Sequence, residues 1–251
     1  MAGAVYDEGV VPPGINRIAI TGCIILAVIM QALDTTIANV ALPYMQGSLT
    51  ATQDQITWVL TSYIVSAAIF MPTTGFLAAR FGRKKLLITA VAGFTIASGL
   101  CGAAQTLGQM VVFRLLQGVF GASLVPMSQA ILLDSYPREK HGSAMAIWGV
   151  GVMVGPILGP MLGGWLTEYY NWRWVFYINL PVGIATTFGL MLFLSESNTQ
   201  TNLRFDWFGF ATLGLAVGAL QLMLDRGQLL DWFHSTEIVV ETVLAALAFY
   251  L

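Results

Sequence analysis

Two residues stand where their chemistry conflicts with their surroundings. Asp34 lies within the apolar stretch from Ile18 to Leu42, and Arg114 within the one from Met110 to Leu133. A charge in hydrocarbon costs at least about 2.5 kcal/mol, and such groups face a cavity or a partner. Asp34 lies roughly 12 Å from the Leu42 end of its helix and Arg114 roughly 6 Å inside its own, at 1.5 Å per residue. Both therefore belong to the same half of the membrane, either paired with each other or lining one aqueous cavity. An acid caught between desolvation and a guanidinium takes up or releases its proton when a substrate alters that balance. Asp34 is thus the candidate proton carrier, with a static structural ion pair as the alternative. Gln117 lies one helical turn from Arg114 and Gln31 one turn from Asp34, close enough to hydrogen-bond in the same place. Thr35 and Asn39 share the Gln31 face and are, with it, the candidate lining of a substrate cavity.

A second pattern is built of small residues. Gly151, Gly155, Gly159 and Gly163 recur at a strict spacing of four, with Pro156 and Pro160 among them and Gly164 following. Such glycines make a smooth stripe for close backbone approach, and the prolines free carbonyls. A third pattern runs from Gly75 to Lys85, where Arg80, Arg83, Lys84 and Lys85 surround the turn at Gly82. It suits either topology anchoring or a gate that latches against a neighbouring helix end.

These residues need helices to hold them, and the composition says which kind. Of 251 residues, 57% are hydrophobic and 10% charged, well under the ~25% of soluble domains, so the bilayer is the solvent. Seven stretches are long enough to span it: Ile18 to Leu42, Ile56 to Leu77, Leu86 to Gln105, Met110 to Leu133, Ala144 to Leu166, Trp174 to Leu194 and Phe208 to Leu224. An eighth starts near Ile238 and reaches Leu251, too short to cross, which predicts a chain cut inside a helix. The segment before Cys23 is weakly apolar and carries Asp7 and Glu8, so the first helix is expected to be uncleaved. With the N-terminus inside, Arg17, Arg80, Arg83, Lys84, Lys85, Arg138, Lys140 and Arg204 are cytoplasmic, and Arg173 and Arg226 lie outside. Trp165, Tyr169, Tyr170, Trp172, Trp174 and Tyr177 would then form an outer aromatic belt.

The same facts exclude other classes. The net charge is -2 with no basic face, so nucleic acid is not a partner. Cys23 and Cys101 stand apart in apolar runs and read as buried hydrophobes. No metal-ligand cluster or hydrolytic motif accompanies His141 and His234, so neither a metal, a cofactor nor an enzyme is expected.

The motifs together resemble the major facilitator superfamily, and within it the fourteen-helix drug:proton antiporters. Leu33 to Pro43 (LDTTIANVALP) is similar to that branch's first-helix signature, and Arg114 to Gly118 (RLLQG) to its fourth-helix motif. Gly151 to Gly164 (GVMVGPILGPMLGG) resembles the fifth-helix antiporter motif, and Gly75 to Lys85 the inner-loop motif. Arg80, Gly82, Arg83 and Lys84 match the last of these, but Ala79 stands where the superfamily usually has an Asp that latches the inner gate. The resemblance implies an all-helical membrane fold: residues 18–194 as an N-terminal bundle of two inverted three-helix repeats, and 195–251 as a linker with helix seven and part of eight. It further implies export of hydrophobic or amphipathic drugs across a bacterial inner membrane in exchange for protons, with Asp34, Arg114 and Gln117 coupling the two. In a host with two membranes, a periplasmic adaptor protein and an outer-membrane channel are the implied partners. A transporter of the same fold for another solute is the alternative.

Overall fold

The computed structural model describes residues 17–195 and 203–250, and every described regular element is a helix. Seven are long and apolar enough to cross a membrane: α1 (Arg17–Ser48), α2 (Gln53–Phe81), α3 (Arg83–Ala103), α4 (Leu107–Ser135), α5 (Arg138–Tyr169), α6 (Trp174–Phe193) and α7 (Trp207–Arg226). An eighth, α8, covers Thr236–Tyr250. The helices overrun most of the expected apolar stretches, because backbone groups must stay bonded until the chain reaches the interface. The segment holding Asp7 and Glu8, and most of the linker between α6 and α7, lie outside the described residues.

Two helices are broken where their sequence demands it. In α2 a 3₁₀ turn at Met71–Thr73 carries Pro72 in its first positions. In α4 the helical ladder is interrupted after Gly121 and resumes at Leu124, ahead of Pro126. Proline supplies no N–H to the preceding turn, so each break falls where a bond is already missing.

The packing has an internal two-fold pattern. α1 packs on α5 and α6, while α4 packs on α2 and α3, and α1 meets α4 and α3 meets α6 in the middle. Exchanging the first three helices for the second three leaves this set of pairs unchanged, which is the arrangement of two three-helix repeats. α7 lies against α2, where Gly214 and Gly218 admit Ile69, and α8 packs on α7.

The α1–α5 contact depends on the glycine stripe. A Cβ at Gly155 would stand 2.5 Å from the Ala32 carbonyl carbon, and one at Gly159 2.0 Å from Thr36 Oγ1. Gly151 and Gly163 approach Ile25 and Ile37. Gly164 has open space around it and is not part of this contact, so the stripe is four residues wide and Gly164 only adjoins it. Pro156 and Pro160 fall on the exposed side of α5.

Buried apolar residues divide into two clusters. One contains Ile20, Ile24, Met30, Leu87, Leu132 and Ala144, near the end that bears Arg80 to Lys85, here termed the basic end. The other contains Ile37, Met45, Val59, Met110, Val175 and Phe176, near the opposite, aromatic end. The division along α1 falls between Met30 and Ile37, and Asp34 occupies it.

The aromatic end differs from the expected belt. Trp165, Tyr169, Tyr170 and Trp174 are exposed, but Trp172 is 4% exposed and packs edge-on against Phe176. Tyr177 is half-buried and fills the space over Gly102. Both were pulled inward because the short α5–α6 loop folds under the bundle, where Arg173 donates to the carbonyls of Gly102 and Ala104 at the end of α3.

Substituting Gly155→Ala should lower the unfolding free energy by about 1–3 kcal/mol, the cost of overpacking against backbone. Gly164→Ala, with nothing to meet, should change it by no more than about 0.5 kcal/mol. Thermal unfolding of the purified protein measures both.

Candidate functional site

Between the two apolar clusters lies a layer of polar side chains contributed by several helices. α1 brings Asp34 and α4 brings Arg114 and Gln117; the three are 0%, 1% and 0% exposed. Arg114 Nη1 donates to Asp34 Oδ2 at 2.7 Å, so the two charges form a pair and do not stand apart in an open cavity. The spacing of three between Arg114 and Gln117 puts both on one face of α4. Arg114 Nη1 also donates to Gln117 Oε1 at 2.8 Å, which turns the amide so that its Nε2 donates to Asp34 Oδ1 at 2.8 Å.

The remaining partners were not evident from sequence. Asn179 of α6 donates from Nδ2 to Asp34 Oδ1 at 2.9 Å and to Ser98 Oγ of α3 at 2.9 Å. Ser98 in turn donates to the carbonyl of Phe176 at 2.9 Å. Arg114 Nε donates to the carbonyl of Val59 in α2 at 2.9 Å. The guanidinium stands 4.4 Å from the ring centre of Tyr63 and 5.7 Å from that of Phe176. A lone Asn in the apolar run of the sixth helix was the one available signal; a carbonyl and two rings leave none.

This shell is asymmetric in a useful way. Every side chain that reaches Asp34 offers it a donor, which suits a carboxylate. Arg114 has two neutral acceptors and two ring faces besides Asp34, so its charge stays solvated if the acid is protonated. Arg114 thus has polar partners and ring faces that do not depend on the charge of Asp34.

Gln31, Thr35 and Asn39 fall outside this shell. Gln31 Nε2 donates to Tyr63 Oη at 3.4 Å and to the carbonyl of Gly121 at 3.3 Å, while its buried Oε1 has no partner. It therefore supports the ring beneath Arg114 instead of contacting Asp34. Thr35 bonds back to the carbonyl of Ala32, and the exposed Asn39 to that of Thr35. The neighbouring Thr36, which the sequence did not single out, donates to the carbonyl of Gly155 at 3.0 Å and ties α1 to the glycine stripe.

At the basic end, the turn between α2 and α3 requires glycine, since Gly82 sits at φ 90° and ψ 146°. Gly75 has open space around its Cα and shows no such need. Arg83 pairs with Asp134 at the end of α4, Arg80 donates to the carbonyl of Leu203, and Lys84 to that of Met191 at the end of α6. The loop is therefore latched to α4, α6 and the α7 approach, although Ala79 replaces the expected acid.

Seven spanning helices, six of them in two interlocked repeats that enclose a charged layer, define a multi-pass membrane protein. The chain belongs to the Major Facilitator Superfamily, whose family profile matches residues 24–251. It is 47% identical over 229 residues to the fatty acid resistance protein FarB of Neisseria gonorrhoeae, covering 90% of this chain and 45% of FarB. It is 44% identical over 236 residues to the multidrug export protein EmrB of Escherichia coli K12, covering 94% of this chain and 46% of EmrB. The chain thus spans about half the length of these relatives. The POT family transporter PepTSo shares the fold at a TM-score of 0.66 and 11% identity, over 91% of this chain and 51% of that one.

Arg114→Met leaves an uncompensated buried carboxylate, and should reduce stability by about 3–5 kcal/mol. Adding Asp34→Asn to it should restore more than half of that loss, because the orphaned charge is gone. Denaturant titration of the single and double variants checks this; additive losses would mean that the pair is not coupled.

Proposed function

We propose that the chain is the N-terminal part of a proton-coupled exporter, and that Asp34 is the group that carries the proton. The observation that carries this reading is the asymmetric shell just described: a buried carboxylate whose basic partner keeps other acceptors. Protonation of Asp34 removes the ionic attraction to Arg114, and the α1–α4 contact loosens at its most costly point. Gln117 holds both partners and sets the distance between them. Because Thr36 and the glycine stripe fasten α1 to α5, a shift of α1 is carried to α5. Arg80, Arg83 and Lys84 hold the basic end closed until that shift occurs.

The transported compounds are hydrophobic or amphipathic drugs, a reading supported by the names of the relatives, one a multidrug exporter and one conferring fatty acid resistance. Gln31, Thr35 and Asn39 form part of the substrate path along one face of α1. Residues 18–194 form the N-terminal bundle, and α7 with α8 link it to a second bundle that the longer relatives have room for. The basic end faces the cytoplasm of a bacterial cell, with the chain in the inner membrane, since cytoplasmic loops collect Lys and Arg. In a cell with two membranes, a periplasmic adaptor and an outer-membrane channel complete the export path.

The test uses the complete transporter in inverted membrane vesicles under an imposed proton gradient. Wild type should move a fluorescent drug against its gradient. Asp34→Asn should move it no faster than vesicles lacking the protein, while still binding the drug. Unchanged gradient-driven transport in the variant would contradict the assignment of the proton to Asp34, and proton-driven solute uptake without drug export would contradict the exporter reading.

A further inference from the structure

A cavity of about 440 Å³ opens among α2, α3 and α4 in the basic half of the bundle, away from the charged layer. Its walls are mostly apolar, with Phe70, Leu77, Leu86, Val119 and Phe120 among them. Two of the residues that line it, Thr74 and Ser123, are 3% and 6% exposed. Their hydroxyls add polar groups to a mostly apolar wall. The cavity therefore suits an apolar occupant.

Its mouth adds a charge. Lys85 lines the cavity and is exposed. Its loop companions Arg80, Arg83 and Lys84 are all engaged with protein, whereas Lys85 has no ion pair or hydrogen bond among the described residues. Lys85, Thr89, Ile96 and Leu100 recur on one face of α3 and all four are exposed, so the mouth lies on an exposed side of the bundle at the level where α3 begins. Thr89, also a lining residue, lies one turn deeper, about 6 Å toward the membrane centre.

We infer that this cavity holds an acyl chain of an anionic phospholipid from the leaflet at the basic end, with the phosphate on Lys85. Basic pockets between spanning helices bind such headgroups. The phosphate pairs with the ammonium, and the chain fills the apolar space. A phospholipid fits better than a dissolved anion because the opening is lateral and at headgroup depth. The site is independent of the proton reading, since no residue of the charged layer lines it.

The experiment places the complete protein in nanodiscs containing a trace of photoactivatable phosphatidylglycerol, phosphatidylcholine or oleate, and maps crosslinks by peptide mass. Phosphatidylglycerol should label the α2 and α4 segments around Leu77 and Phe120 more than phosphatidylcholine does. In Lys85→Gln that preference should fall about fivefold, the value of one lysine at an anionic surface. Thr89→Phe, at an exposed position that can be enlarged without loss of fold, should abolish labelling of both segments while labelling elsewhere persists. Equal labelling by the two phospholipids, a preference unchanged in Lys85→Gln, or labelling by oleate alone would overturn the assignment.

Discussion

The ion pair between Asp34 and Arg114 is the constraint around which the bundle is arranged. Taking two charges out of water costs several kcal/mol each, and attraction between them offsets this only with good geometry and further hydrogen bonds. The protein meets that demand from five of the six helices of the bundle. α1 and α4 supply the charges, α2 a carbonyl and a tyrosine ring, and α3 and α6 the Ser98–Asn179 relay, while α5 is tied to α1 separately through Thr36. None of these five helices can shift far without disturbing the shell, so the pair makes their packing specific where apolar contacts alone would not.

The same arrangement explains why a proton could move helices. Apolar packing in a bilayer is not driven by a gain over lipid contact, so polar contacts and close backbone approach decide which helices associate. Here those two devices coincide on α1. One turn of it carries Asp34, and the next residues, Thr36 and Ile37, meet Gly159 and Gly163. Charge state and helix contact are thus adjacent on one element, while at the basic end the Arg83–Asp134 pair ties α3 to α4 and the Gly82 turn joins α2 to α3.

Much of this was legible in the sequence, for physical reasons. Hydropathy gave the spans, because membrane helices must be apolar over a fixed length. Asp34 and Arg114 were visible as charges in hydrocarbon, and Gln117 by its spacing. The partner of the glycine stripe was not readable, since spacing says that a backbone comes close but not whose. Asn179, Ser98 and the Val59 carbonyl were hidden because their role depends on which helices become neighbours. Trp172 was misread as interfacial because aromatic composition cannot separate a ring at the surface from one tucked under a short loop.

The central claim is that the Asp34 carboxyl changes protonation when substrate binds. Difference infrared spectroscopy on the complete transporter measures this directly, through the C=O stretch that only a protonated carboxyl gives. Adding an exported drug should produce a carboxyl band that is present in wild type and missing in Asp34→Asn. A wild-type difference spectrum without that band, or one that the substitution leaves unchanged, would show Asp34 to be a permanent structural anion and would contradict the account.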